Sequence, residues 1–273
     1  MHYNRRGRRA GSSTAFAARR KIDRQQRSDE NAPVTVAWAI GALIIFAASL
    51  VMGLAGFGIA LVAMAFLPWV MSPVTAVVLL TIYALVFSIV MVIPLVREIV
   101  PRALVDLLVG SAVGTPLGVW ILATLPVTAL NRMIGAFLLL VCLLEFRRAL
   151  PTQATGRGWG LSAGFLSGVI GAALGTPGPP VIVYASAQNW SPRAFKANVT
   201  GFFVVNQAVI LVGYWWAGLM TPDVWQATTV FAAPALVGVA MGVALFGKLD
   251  PARFRRVVFA LLSFSALVLL VKG

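Results

Sequence analysis

Charge is scarce in this chain, and that scarcity excludes more than any motif does. Asp, Glu, Lys and Arg make up 11% of the 273 residues, while 60% are hydrophobic; soluble domains carry roughly 25% charged residues. There is one histidine, His2, and one cysteine, Cys142. A single histidine at the start of the chain leaves no His-based metal site, no Ser-His dyad and no HExxH pair. A single cysteine rules out an intrachain disulfide, and its place in the apolar run Ile134 to Leu144 reads as a small hydrophobe. No glycine-rich stretch carries the GK[ST] of a phosphate loop, and none follows a strand in the GxGxxG manner. An enzyme is not expected, and neither is a cofactor or a metal.

What is present is apolar sequence in long runs. The mean hydropathy is +0.91, and about 20 consecutive apolar residues span a bilayer, so the chain reads as an all-α polytopic membrane protein. The formal net charge of +14 does not imply nucleic acid, because nine of the 22 Lys and Arg precede Pro33 and most of the others flank apolar runs. That distribution is a topological signal, since basic loops stay in the cytoplasm. Residues 1–33, Arg-rich and without hydrophobic period, read as a basic disordered tail, and no cleavable signal is expected.

The remainder divides in two. Residues 34–146 form a first transmembrane repeat, 147–158 a basic connecting loop, and 159–271 a second repeat. Gly53 and Gly56 recur at the same spacing as Gly168 and Gly171; Ser72-Pro73 recurs as Ser191-Pro192; Gly114, Gly118 and Arg132 recur as Gly238, Gly242 and Arg256. This points to a duplication. Each half is expected to hold one Gly/Pro-broken helical hairpin and about three full spans, an odd number that inverts one repeat relative to the other. The nine basic residues of the tail oppose the outside N-terminus this implies; a first segment that crosses once puts the tail inside. Gly110, Gly114 and Gly118 make a small-residue seam for either internal packing or a homodimer.

The breaks are GLAGFG at Gly53 to Gly58 and GTPGPP at Gly175 to Pro180. An unsatisfied backbone group in hydrocarbon costs several kcal/mol, so a break at membrane depth survives only where protein or a watery cavity covers it. Half-helices meeting there aim their termini at one point, and helix N-termini attract anions without a buried cationic side chain. The candidate substrate residues are therefore Gly53, Gly56 and Gly58 in the first half and Gly171, Gly175, Thr176, Pro177, Gly178 and Pro179 in the second, with proline suited to the first turn of a half-helix. Asn206 and Gln207 join them because amides deep in an apolar span either tie helices together or line a path. Asn198 reads as a cap of its own helix, and Ser88 and Thr115 are weaker candidates. Of the carboxylates, Asp106 suits a helix N-terminus, Glu145 pairs naturally with Arg147 and Arg148, and Asp223 lies near the membrane; proton coupling is left open.

GLAGFG with its downstream SPVTA, and SGVIGAALGTPGPPVIVY at Ser167 to Tyr184 with SPRAFKANVTGFFVVNQ at Ser191 to Gln207, resemble the TauE/SafE family, the sulfite exporters also called DUF81. The likeness runs from about Val34 to Val271. The first motif departs from the family's common pattern in having Phe57 and Ile59 among its glycines. The resemblance implies secondary transport of small anions, such as sulfite, sulfoacetate and other organosulfonates. The expectation is thus a carrier in the bacterial inner membrane, with a lipid bilayer and a small anion as its partners. A non-transporting membrane scaffold is the alternative.

Overall fold

The computed structural model describes residues 36–54, 58–147 and 156–245, which are helical apart from short turns and connections. The basic tail, Gly56, most of the connecting loop and the last expected span lie outside the described residues. The chain divides into two compact units, Met1–Gly41 and Ala42–Gly273. The described part of the first, residues 36–41, is the opening of a helix; all contacts given below lie within the second.

In the first half the helices are α1 (Val36–Leu54), α2 (Ile59–Phe66), α3 (Pro73–Val92), α4 (Pro101–Thr124) and α5 (Val127–Arg147). In the second they are α6 (Arg157–Leu174), α7 (Gly178–Ser186), α8 (Pro192–Trp216), α9 (Pro222–Val230) and α10 (Ala232–Leu245). A 3₁₀ turn at Ile93–Glu98 extends α3. Five described helices are long and apolar enough to cross a membrane, and α9 with α10 brings the number to six if the bent pair is one span.

Local chemistry sets the boundaries. Ser72 and Ser191 are both N-caps in extended conformation, each followed by proline, and their hydroxyls accept from the N–H of Thr75 and Ala194. The recurring Ser-Pro pair is thus the same device, starting α3 and α8 alike. Between Pro222 and Leu245 the chain is not one straight span but two helices bent by 49°. Pro234 explains it: the ring has no N–H for the carbonyl of Val230 and crowds it. Tyr83 repairs part of the damage, its hydroxyl donating to the carbonyl of Thr228 at 2.7 Å.

Two glycine seams hold the halves together. A Cβ on Gly110, Gly114 or Gly118 of α4 would stand 2.2, 2.2 and 2.4 Å from the carbonyl oxygens of Leu161, Phe165 and Val169 on α6. Gly164 and Gly168 of α6 press equally closely on Leu107 and Ser111 of α4. These glycines serve packing within the chain. The second seam joins α1 to α10, where Gly53 meets Val239, and Gly238 and Gly242 meet Phe46 and Leu50. Along both seams residue numbers rise together, so the paired helices run parallel. With no hydrophobic force between helices in lipid, such close backbone approach is what van der Waals association needs. The seams also correspond: α4 of the first half clasps α6 of the second, and α10 of the second clasps α1 of the first.

Candidate functional site

Between Leu174 and Gly178 the chain stops being helical and starts again. Gly175 ends α6 in the left-handed conformation, φ 73°, and its N–H returns to the carbonyl of Gly171 at 2.9 Å. A residue with a Cβ resists that φ, which is why glycine stands here. The carbonyl of Ala172, orphaned at the helix end, accepts from the hydroxyl of Tyr214 at 2.7 Å. The carbonyl of Pro177 accepts from Ser167 Oγ at 2.5 Å. So two side chains from α6 and α8 satisfy the broken backbone and fix its shape. From there α7 folds back along α6, bringing the Tyr184 ring within 3.6 Å of a Cβ position on Gly160.

The first break is closed differently. α1 ends at Leu54, and α2 opens at Gly58, which has φ 96° and accepts the first helical bond, from Val62 N–H at 3.2 Å. Ile59, Ala60 and Leu61 form the first turn, whose N–H groups have no partner within an α-helix. In α7 the corresponding positions after the Pro177 cap are Gly178, Pro179 and Pro180, and proline has no N–H to offer. The first break, poorer in motif, is the richer in backbone donors.

Both helix starts line one small, partly open cavity of about 30 Å³. Gly58 to Leu61 line it from one half, and Gly175 to Gly178 from the other. Ala84 and Ser88 of α3 face Phe203 and Gln207 of α8 across it. Counted from their Ser-Pro starts, Ala84 and Phe203 hold one position and Ser88 and Gln207 another. No charged side chain lines the cavity among the described residues. Thr176 and Gln207, only 4% and 3% exposed, have Oγ1 and Oε1 buried with no hydrogen-bond partner. Leaving such an atom unsatisfied costs about 1–3 kcal/mol.

The structure gathers six of the expected residues at this cavity: Gly58, Gly175, Thr176, Pro177, Gly178 and Gln207. Others serve elsewhere. Gly53 belongs to the seam with α10, and Gly171 makes room for the Pro177 ring. Pro179 is in the first turn of α7 but not in the lining. Asn206 turns toward α4, where its Oδ1 accepts from Ser111 Oγ, although its Nδ2 is also unpartnered. Thr115 bonds back to the Ser111 carbonyl at 2.8 Å. Asn198 does not cap its own helix: its Oδ1 accepts from Val100 N–H at 2.8 Å, joining the start of α8 to the start of α4. Asp106 forms a 3.5 Å ion pair with the exposed Arg157, a contact of small energy. Asp223 lies in the first turn of α9, and the side chain of Glu145 lies outside the described residues. Sequence reasoning missed Ile59, Ala60, Leu61, Ala84 and Phe203, and undervalued Ser88. The repeat register held the signal, for it equates Ser88 with Gln207.

The family model described as sulfite exporter TauE/SafE matches residues 41–269. The chain belongs to the TauE/SafE family. No curated protein and no solved structure matches it. This TauE/SafE protein is thus a multi-pass membrane protein of a transporter family whose members move sulfur anions. In it, the seams, the two breaks and the cavity they enclose all lie within the matched residues.

Proposed function

We propose that this protein is a secondary transporter that exports a small sulfur oxyanion, sulfite or an organosulfonate such as sulfoacetate, across the bacterial inner membrane. The observation that carries the reading is the cavity between the two breaks, lined by two helix starts and by the buried, unpartnered Thr176 and Gln207. Helix N-termini and neutral donors suit an anion, and a charged side chain at the bilayer centre, costing about 2.5–3.5 kcal/mol on insertion scales, is avoided.

Alternating access follows from inverted repeats, in which one half can adopt the other's conformation. Support for inversion comes from α3 and α8, which share a start motif yet run in opposite directions: Asn198, near the start of α8, bonds Val100, just beyond the end of α3. The two corresponding seams favour it as well. Arg102, Arg157, Arg193 and Lys196 cluster at the end where α4, α6 and α8 begin, while Trp120, Trp215 and Trp216 stand near where α4 and α8 end. By the positive-inside rule the basic end is cytoplasmic.

Purified protein in liposomes loaded with labelled sulfite, sulfoacetate or taurine, with and without an imposed proton gradient, tests the proposal. Saturable efflux of one of them, absent from protein-free vesicles, is expected. No flux of any anion under any gradient would overturn it and put a scaffold role first.

A further inference from the structure

We infer that the cavity accepts one negative charge and no more, so that the species carried is a monoanion: hydrogen sulfite, or a sulfonate whose remaining atoms bear no further net charge. The inference deepens the transport reading above and rests on it. It is carried by what lines the cavity and by what does not. Each helix start is equivalent to about half a positive charge, and two of them, α2 from Gly58 and α7 from Pro177, open onto the same space. Because Pro179 and Pro180 leave α7 only the Gly178 N–H in its first turn, and because the carbonyl end of α6 at Gly175 borders the same space, together they balance at most about one negative charge.

The remaining polar groups of the wall are neutral: Ser88, Thr176 and Gln207. Among the described residues no Lys, Arg or His reaches it, and the residues of the first break outside them, Ala55, Gly56 and Phe57, carry no charge either. A second negative charge would therefore be taken out of water with nothing to balance it, which proteins tolerate only with a paired cation.

The orphaned acceptor is the independent observation. Gln207 Oε1 and Thr176 Oγ1 are both buried and both without partner. An amide and a hydroxyl each offer a donor and an acceptor, so together they can bond the acceptor oxygens of a monoanion and also accept from one that has a proton to give. Hydrogen sulfite has both. Sulfite and sulfate dianions have acceptors only, as methanesulfonate does, but carry the second charge that the wall does not balance. Sulfoacetate, whose carboxylate adds a second charge, becomes a poorer substrate than methanesulfonate or zwitterionic taurine.

The test is initial efflux from proteoliposomes, corrected for protein-free vesicles, across a pH series spanning the second ionisation of sulfurous acid. At fixed total sulfite, the rate should fall about tenfold per pH unit once the dianion predominates, while methanesulfonate efflux stays flat. Excess sulfate should not slow methanesulfonate efflux. Sulfite efflux that holds steady or rises with pH, or sulfate competing as well as unlabelled methanesulfonate, would overturn the monoanion inference and leave the transporter reading standing. No efflux of any anion would remove the transport reading, and this inference with it. Gln207→Lys supplies a second readout: with a cation added to the wall, sulfate should become at least a tenfold better competitor. A folded Gln207→Lys protein with unchanged preference would count against the charge balance described here.

Discussion

The two breaks of this protein do the same job with different chemistry. The break at Gly58 offers the first-turn N–H groups of Ile59, Ala60 and Leu61 but lines the cavity with almost no polar side chain. The break at Gly175 has lost two such N–H groups to Pro179 and Pro180 and presents Thr176, with Gln207 standing behind it. One half contributes backbone dipole and the other contributes side-chain hydrogen bonding. The second break is also the better fastened, by Ser167 and Tyr214.

Experiments that break this comparison run from the seams inward. Gly168→Val and Gly53→Val should have the largest effect and nearly the same one, because each Cβ would meet a backbone carbonyl, at 2.3 and 2.4 Å. Overpacking of this kind costs about 3 kcal/mol, and both variants should fail to elute as a monodisperse peak in detergent. If only one fails, the two seams are not equivalent.

Gly178→Leu acts at the cavity itself. A Cβ there meets only Ile182 and Phe203 at ordinary distances, 3.6 and 3.8 Å, so the protein should fold normally while the longer side chain fills the space and flux disappears. Normal flux in that variant would place the pathway elsewhere.

Gly58→Ala and Gly175→Ala compare the two left-handed glycines. Neither has a close clash, and each forces alanine into φ 96° or φ 73°, at about 1–2 kcal/mol apiece. Thermal unfolding in detergent should fall for both by a similar margin.

The smallest effect is the most telling in sign. Thr176→Val and Gln207→Leu remove orphaned polar atoms, so each should leave thermal stability unchanged or raise it by up to about 1 kcal/mol, while transport drops. Ser88→Ala, at the equivalent place in the other half, should change transport less than Gln207→Leu. A marked loss of stability in Thr176→Val would show that its hydroxyl serves the fold.

Much of this could be read without coordinates. Long uncharged runs can only be membrane helices, because no other local structure satisfies its own backbone in hydrocarbon. Ser-Pro twice announced two helix starts; glycine among apolar residues, then proline, disclosed where the helices stop. Those are local properties, fixed by the φ angles and donors that each residue type has or lacks. Partners are not local. Four-residue spacing of Gly110, Gly114 and Gly118 announced a close approach, and only the fold decided that α6 makes it. Asn206 and Gln207 are neighbours in sequence and look alike, yet successive residues on a helix point about 100° apart, so one reaches Ser111 of α4 and the other the cavity. The bend at Phe231 is local, Pro234 acting on the carbonyl four residues before it, but bringing Ser88 and Gln207 to one cavity needed α3 folded against α8. Sequence alone determined the elements and where they end; tertiary structure decided which faces meet, because that depends on groups distant in the chain sharing the same space.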